Sequence, residues 1–157
     1  MNLILFMAFS LVLLFKVNFA HSYDDEDVEH FLKNSECTEC DLSNYNFENR
    51  YLDQAIIINS NLTNANFNNA KMANSQIKDS DFSNSTFINA DMPTTEIENS
   101  IFYNVNFEEA NLTSSTIINS NFVKANFNLG KMYGVIINAS ILDEAIITNA
   151  NIQKSTL

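Results

Sequence analysis

The residues most able to do chemistry in this 157-residue chain are two cysteines, two histidines and a handful of clustered carboxylates. Cys37 and Cys40 are the only cysteines. Two thiols at that spacing can close a local disulfide, act as a dithiol redox pair, or supply half of a zinc site. Zinc would need further ligands, and His21 and His30 are the only histidines. A thioredoxin-like pair would need a βαβ context, and no such pattern surrounds these cysteines. An even pair in a secreted chain points to a Cys37–Cys40 disulfide. Five carboxylates crowd residues 24–29 (Asp24, Asp25, Glu26, Asp27, Glu29) and read as a solvated face rather than a metal or partner site. Asp79 with Asp81, and Glu108 with Glu109, come nearest to an acid–base pair, and they too fit solvated positions. There is no Ser/His/Asp set, no Gly-rich phosphate loop and no cluster of metal ligands. The reading is a non-enzymatic chain without catalytic residues, cofactor or metal.

What positions these residues is a repeat. Aligning Ser60, Ser80, Ser100, Ser120 and Ser140 superimposes Ser60-Asn61-Leu62 on Ser80-Asp81-Phe82, Ser100-Ile101-Phe102, Ser120-Asn121-Phe122 and Ser140-Ile141-Leu142. Within each twenty lies a period of five. From Leu42 to Leu157 every fifth residue is Leu, Ile, Phe or Met, at 24 positions without a break in phase. Two residues before these centres the side chain is small at 22 of the 24, the exceptions being Tyr45 and Arg50. Two residues after them Asn dominates. Neither the helical period of 3.6 nor the strand period of 2 fits. A corner every five residues does: four sides close a square of twenty, and the next turn stacks on it at ~4.8 Å.

The units Ala65-Asn66-Phe67, Ser80-Asp81-Phe82, Ala110-Asn111-Leu112 and Ala125-Asn126-Phe127 resemble those of pentapeptide-repeat proteins. The resemblance covers residues 42–157 and implies an all-β fold, a right-handed quadrilateral β-helix of about six coils. It departs in one respect, Asn standing where the family often has Gly. Eight Phe in fixed phase, among thirteen in the chain, argue against a disordered Asn-rich chain. The centres then point inward in four ladders. The Asn after each centre sits where a type II turn requires φ > 0. Tyr45 and Arg50 are too large for the inward slot, so the first coil should be distorted.

Ahead of the coil the chain changes character twice. Residues 3–15 are almost wholly apolar, too few to span a membrane but suited to a secretory signal over 1–22, with cleavage after Ser22 or, second, Ala20. No membrane span would remain after cleavage, and an uncleaved anchor is the alternative. Residues 23–41 read as an acidic helical cap, with Val28, Phe31 and Leu32 on one face and the cysteine pair tying it to the first coil. Residues 42–157 form the coil domain. Residues 21–41 carry a net charge of −7 and residues 42–157 only −5, with no basic nucleic-acid footprint. Asn61, Asn84, Asn111 and Asn138 each begin an Asn-x-Ser/Thr site.

Near the C-terminus Val123, Leu129, Tyr133, Ile136, Ile141 and Ile146 occupy outward positions and suggest an interaction patch. A homodimer through the C-terminal coil is one use of it. These features favour an exported, non-catalytic structural or protein-interaction scaffold in a secreted or periplasmic setting, its protein partner unnamed. The alternative, implied by the resemblance, is a cytosolic acidic DNA mimic that binds an enzyme such as gyrase.

Overall fold

The computed structural model describes residues 23–157. The proposed signal over 1–22, and His21 with it, lies outside them. The chain opens with a helix, α1 (Asp25–Asn34). Asp24 caps it, its carboxylate accepting from the N–H groups of Glu26 and Asp27 at 2.8 and 3.2 Å. That satisfies two of the donors a helix start leaves open, and three acidic residues in the first turn face its positive end. Ser35, with φ 56°, ends it.

Everything after the helix winds as a right-handed quadrilateral β-helix. One wall is a six-stranded parallel sheet: β1 (Glu36–Thr38), β2 (Ile56–Ile58), β3 (Gln76–Lys78), β4 (Glu96–Glu98), β5 (Thr116–Ile118) and β6 (Ile136–Asn138). Each strand pairs with the next at a shift of twenty, so Cys37, Ile57, Ile77, Ile97, Ile117 and Ile137 stack in one column. The other three walls are held by parallel bridges at the same shift, such as Asn61↔Asp81, Asn66↔Thr86 and Lys71↔Asp91. We number the walls by their centres: first (Leu62, Phe82, Phe102), second (Phe67, Phe87, Phe107), third (Met72, Met92, Leu112) and fourth, the sheet.

The centres fill the tube. Phe67, Phe87, Phe107 and Phe127 stack face to face at 4.7–5.1 Å between ring centroids. Phe82, Phe102 and Phe122 do the same at 4.7 and 4.8 Å, and the two columns meet at a tilt. All are fully buried, so the phenylalanine ladder is core rather than a ligand platform. Each such burial contributes roughly 1.5–3 kcal/mol.

Corners come in two kinds. In most pentads of the first three walls the N–H three residues after the centre donates to the centre's carbonyl, as Ala65 to Leu62 (3.2 Å), Ala70 to Phe67 (3.0 Å) and Ser115 to Leu112 (3.0 Å); on the third wall Thr95 instead donates to the Ser115 hydroxyl one coil on at 3.1 Å. The residue before that donor is left-handed, with φ of 59° at Asn64 and Asn69, as expected of the Asn positions. On the fourth wall this turn bond is missing. There the N–H of Ser60 donates to the hydroxyl of Ser80 in the next coil, Ser80 to Ser100, Ser100 to Ser120 and Ser120 to Ser140, at 3.0–3.2 Å. Each hydroxyl from Ser60 to Ser120 also donates to the carbonyl two residues back at 2.8–2.9 Å. The serine that marks the twenty-residue period is therefore a hydrogen-bonding necessity, since a buried N–H without a partner is costly.

Two expectations change at the N-terminal end. The coil begins at β1, so Cys37 is already a centre and the cap ends at Ser35 rather than residue 41. A cysteine in that slot does not belong to the Leu/Ile/Phe/Met pattern and hides the phase. The tube is also not distorted at Tyr45 and Arg50. Their backbone carbonyls accept from Asn66 and Lys71 at 3.0 and 2.8 Å as elsewhere. Arg50 swings out to solvent, and Tyr45 packs half-buried against Tyr23 and Phe47. An end coil has room that a mid-rod coil lacks. Above it, α1 buries Val28 and Phe31, the latter edge-on to Phe47 at 5.5 Å.

Candidate functional site on the outer walls

The interior is filled by side chains, so what the chain offers to other molecules is its outer walls. Each pentad presents two outward side chains flanking the centre and a third at the corner. The residue before the centre is Asn or Asp in 11 of the 24 pentads, and its oxygen then commonly accepts from the N–H two residues on. Asp41 with Ser43, Asn61 with Thr63, Asn106 with Glu108 and Asn111 with Thr113 do this at 3.0–3.2 Å. This closes the one backbone donor per pentad that neither coil contact nor turn uses. Amides also bridge coils, Asn61 to Asp41 and Asn111 to Asp91 at 3.1 and 2.8 Å. Two of the Asn-x-Ser/Thr asparagines thus have their amide nitrogens engaged. Asn84 and Asn138 lie exposed, and the Asn84 side-chain oxygen accepts from Asn104 at 2.9 Å.

Charge is distributed along the rod by coil. Residues 23–60 hold ten acidic and two basic residues, while residues 101–157 hold four and three. Three lysines pair one coil away: Lys71 with Asp91 and Lys78 with Glu98 at 3.2 Å, and Lys124 with Glu144 at 3.8 Å. Exposed pairs of this kind contribute at most about 1 kcal/mol each. Burial alone would raise the Asp91 pKa. Hydrogen bonds from Asn111 and Lys71, with the charges of Lys71 and Lys131, outweigh it and hold the carboxyl below its ordinary value. Asp27 is used structurally, its carboxylate accepting from the N–H of Asp41 at 2.7 Å. The Asp24 N–H donates to the Asp41 carbonyl at 2.9 Å, so the cap stands in for a preceding coil. Glu108 accepts from the Asn128 amide at 3.3 Å, while Glu109 lies exposed at a corner.

Cys37 and Cys40 form a disulfide, with Cα atoms 5.8 Å apart. Both lie within the first coil, so the bridge closes that coil's corner rather than tying the helix to it. Cys40 keeps the serine ladder's bond, its N–H donating to the Ser60 hydroxyl at 3.1 Å. Among the described residues no group of three or more His, Cys, Asp or Glu is placed to hold a metal ion.

The six apolar residues singled out near the C-terminus are outward but are not brought together. Val123 and Ile141 lie on the first wall, Ile146 on the second and Leu129 at its corner, Tyr133 on the third and Ile136 on the fourth. Tyr133 sits under the Lys154 ammonium at 5.2 Å. On the first wall Val123 and Ile141 instead join Ile101 and Tyr103 across three successive coils. Ile101 carries the same signal as Ile141, an apolar residue where the repeat calls for Asn or Asp. Beside this group, an open groove of about 490 Å³ is lined by Asn61, Thr63, Asp79, Asp81, Asn99 and Ile101.

A tube of four walls, turned every five residues and stacked every twenty, defines a pentad β-solenoid. Residues 60–157 match the model of the pentapeptide repeat region, and residues 35–74 match that of pentapeptide repeats in eight copies. The chain belongs to the pentapeptide-repeat family. No curated protein matches its sequence. Among solved structures it is similar to HetL, a pentapeptide repeat protein involved in heterocyst differentiation regulation from the cyanobacterium Nostoc sp. strain PCC 7120. That match has a TM-score of 0.51 and 16% identity over 74% of this chain and 59% of HetL. Rfr23 from the cyanobacterium Cyanothece 51142 matches with a TM-score of 0.52 and 18% identity over 83% of this chain and 94% of Rfr23. Trypsin-treated QnrB1, a plasmid-mediated fluoroquinolone resistance protein, matches with a TM-score of 0.51 and 18% identity over 76% of this chain and 61% of QnrB1. The chain therefore spans under two thirds of HetL and of QnrB1. At these identities the likeness is one of fold.

Proposed function

We propose that this chain is an exported, non-catalytic scaffold that works by binding a protein through its outer walls. The observation that carries this reading is the division of labour within each pentad. Three of five positions are committed to core, inward slot and corner, leaving the two flanking side chains to vary from coil to coil. Such a surface presents a regular grid of side chains on a rigid backbone, which suits recognition better than chemistry. The roles of HetL and QnrB1, in heterocyst differentiation regulation and in fluoroquinolone resistance, likewise name no reaction. Export rests on the apolar run over residues 3–15 and on the Cys37–Cys40 disulfide, a bond typical of oxidising compartments. A duplex mimic needs negative charge spaced along the whole rod, whereas this charge is gathered at the cap and first coil. Self-association through the C-terminal coil, where Ile152 and Leu157 are about half exposed, belongs to the same proposal.

The test is to fractionate the native host and determine the N-terminus of the recovered protein by mass spectrometry. A chain beginning at Tyr23 or His21 outside the cytoplasm is expected. An intact Met1 in the cytosol would refute export and make DNA supercoiling the next assay.

A further inference from the structure

The first wall departs from the repeat's own rules, and its departures are grouped. Running from the cap, its outward positions are Asp41 and Ser43, Asn61 and Thr63, Asp81 and Ser83, then Ile101 and Tyr103, Asn121 and Val123, Ile141 and Asp143. The first half is polar, with Asp41 and Asp81 among its outward side chains and Asp79 at the adjoining corner. Among the described residues, Asp41, Asp79 and Asp81 have no lysine or arginine within ion-pairing distance, although Asp91, Glu98 and Glu144 on other columns each have a lysine one coil away. The second half is apolar. Ile101, Tyr103 and Ile141 are 41%, 38% and 50% exposed, with Val123 half-buried between them. Isoleucine at 101 and 141 also gives up the side-chain oxygen that at Asp41, Asn61, Asp81 and Asn121 on this wall accepts the N–H two residues on. A position that breaks a local rule without a packing gain is where function is expected. The groove lined by Asp79, Asp81 and Ile101 joins the two halves. Lys124 lies over the Tyr103 ring at 5.8 Å, but its charge is matched by Glu144.

We propose that the first wall is a docking surface for a short extended segment of a partner protein, carrying a lysine or arginine two to four residues from a large apolar side chain. The cation enters the groove between Asp79 and Asp81, and the apolar side chain covers Ile101, Tyr103 and Val123. The spacing follows from the coil height. From the level of Asp81 to that of Val123 is two coils, ~10 Å, which an extended chain at ~3.3 Å per residue covers in about three residues. The segment lies along the rod and so across the strands, and cannot extend the sheet. Its recognition rests on side chains: charge complementarity sets the register and apolar contact the residence time.

This inference rests on the scaffold reading, and the experiment separates the two. A phage-displayed library of random dodecapeptides is selected on the immobilised full chain, and selected peptides are titrated by fluorescence anisotropy. Two surface variants, Asp79→Asn with Asp81→Asn, and Ile101→Ser with Ile141→Ser, are titrated alongside after circular dichroism confirms the fold. Selected peptides are expected to share a basic residue two to four positions from a large apolar one. Each double variant is expected to weaken them about tenfold, with added salt weakening the wild-type complex and barely affecting the Asp variant. Peptides that bind both variants as tightly as wild type would place docking on another wall, leaving the scaffold reading and overturning this one. Enrichment of nothing would overturn both. A dimer in light scattering that the Ile101→Ser and Ile141→Ser variant abolishes would assign the wall to a second copy and also overturn the proposal.

Discussion

Two buried serines with opposite roles give a sharp test of the coil's hydrogen bonding. Ser100 and Ser85 are each about 1% exposed and both occupy the small inward slot. The Ser100 hydroxyl accepts from the Ser80 N–H at 3.2 Å and donates to the Glu98 carbonyl at 2.8 Å. Ser85 sits in the column of Ala65, Val105 and Ala125, its own N–H donates to Phe82 in the turn bond, and its hydroxyl has no partner. Ser100→Ala orphans the buried Ser80 N–H, at a cost of about 1–3 kcal/mol. The Glu98 carbonyl is spared, because it also accepts from the Asp79 N–H at 3.1 Å. Ser85→Ala removes an unsatisfied hydroxyl and leaves a methyl group in an apolar column, so it should be neutral or stabilising by up to about 1 kcal/mol. The same substitution at equal burial should therefore differ by about 1–4 kcal/mol between the two sites. Urea unfolding followed by far-ultraviolet circular dichroism reads this as a midpoint that falls for Ser100→Ala and holds or rises for Ser85→Ala, at constant slope. Equal losses at both sites would mean that inward serines are only space fillers, and would refute the account of the fourth corner.

Phe107→Ala, in the middle of the stacked column, should cost about 3–5 kcal/mol in the same assay, and a loss below about 1 kcal/mol would contradict its placement in the core. Cys40→Ser preserves the N–H contact to Ser60 but opens a four-residue loop, for which the chain-entropy relation gives a loss of about 2 kcal/mol; equal stability of the oxidised wild type and the variant would deny the bridge a structural role. Because the folded pKa of Asp91 is depressed, its contribution is present above the unfolded value and disappears as pH falls through the folded one. Asp91→Asn should thus lower the melting temperature slightly near neutral pH, with the difference shrinking as pH falls below the ordinary value of 3.8 and vanishing once pH is below the depressed folded value, and a difference that persists in strong acid would remove charge as the cause.

The period of five and the centres were legible because only one geometry turns a chain every five residues and restacks it every twenty. The Asn two places after each centre announced the left-handed corner for the same reason. Hydrogen bonding was harder to see. The Asn before the centre looks like mere polarity until its oxygen is seen to hold the N–H two residues on. The serine at every twentieth position marks the period without disclosing that its corner lacks a turn bond. Cys37 concealed the first pentad because a cysteine is not in the centre's usual set, and α1 gives no hint that Asp27 will satisfy Asp41. The apolar residues at the C-terminal end were visible one by one. Their separation onto four walls depends on counting position modulo twenty rather than distance along the chain, which is also how Ile101 and Tyr103 come to lie beside Val123.

That counting constrains how such a gene can change length. An insertion or deletion of five residues keeps every centre pointing inward, yet it turns everything downstream by a quarter, shifts the serines off the fourth corner at the junction and breaks the alignment of Asp81 with Ile101 and Ile141. A change of twenty restores the alignment and lengthens or shortens the rod by ~4.8 Å. Lineages that depend on one wall should therefore vary by whole coils, while lineages that use the rod only as a spacer should vary by single pentads.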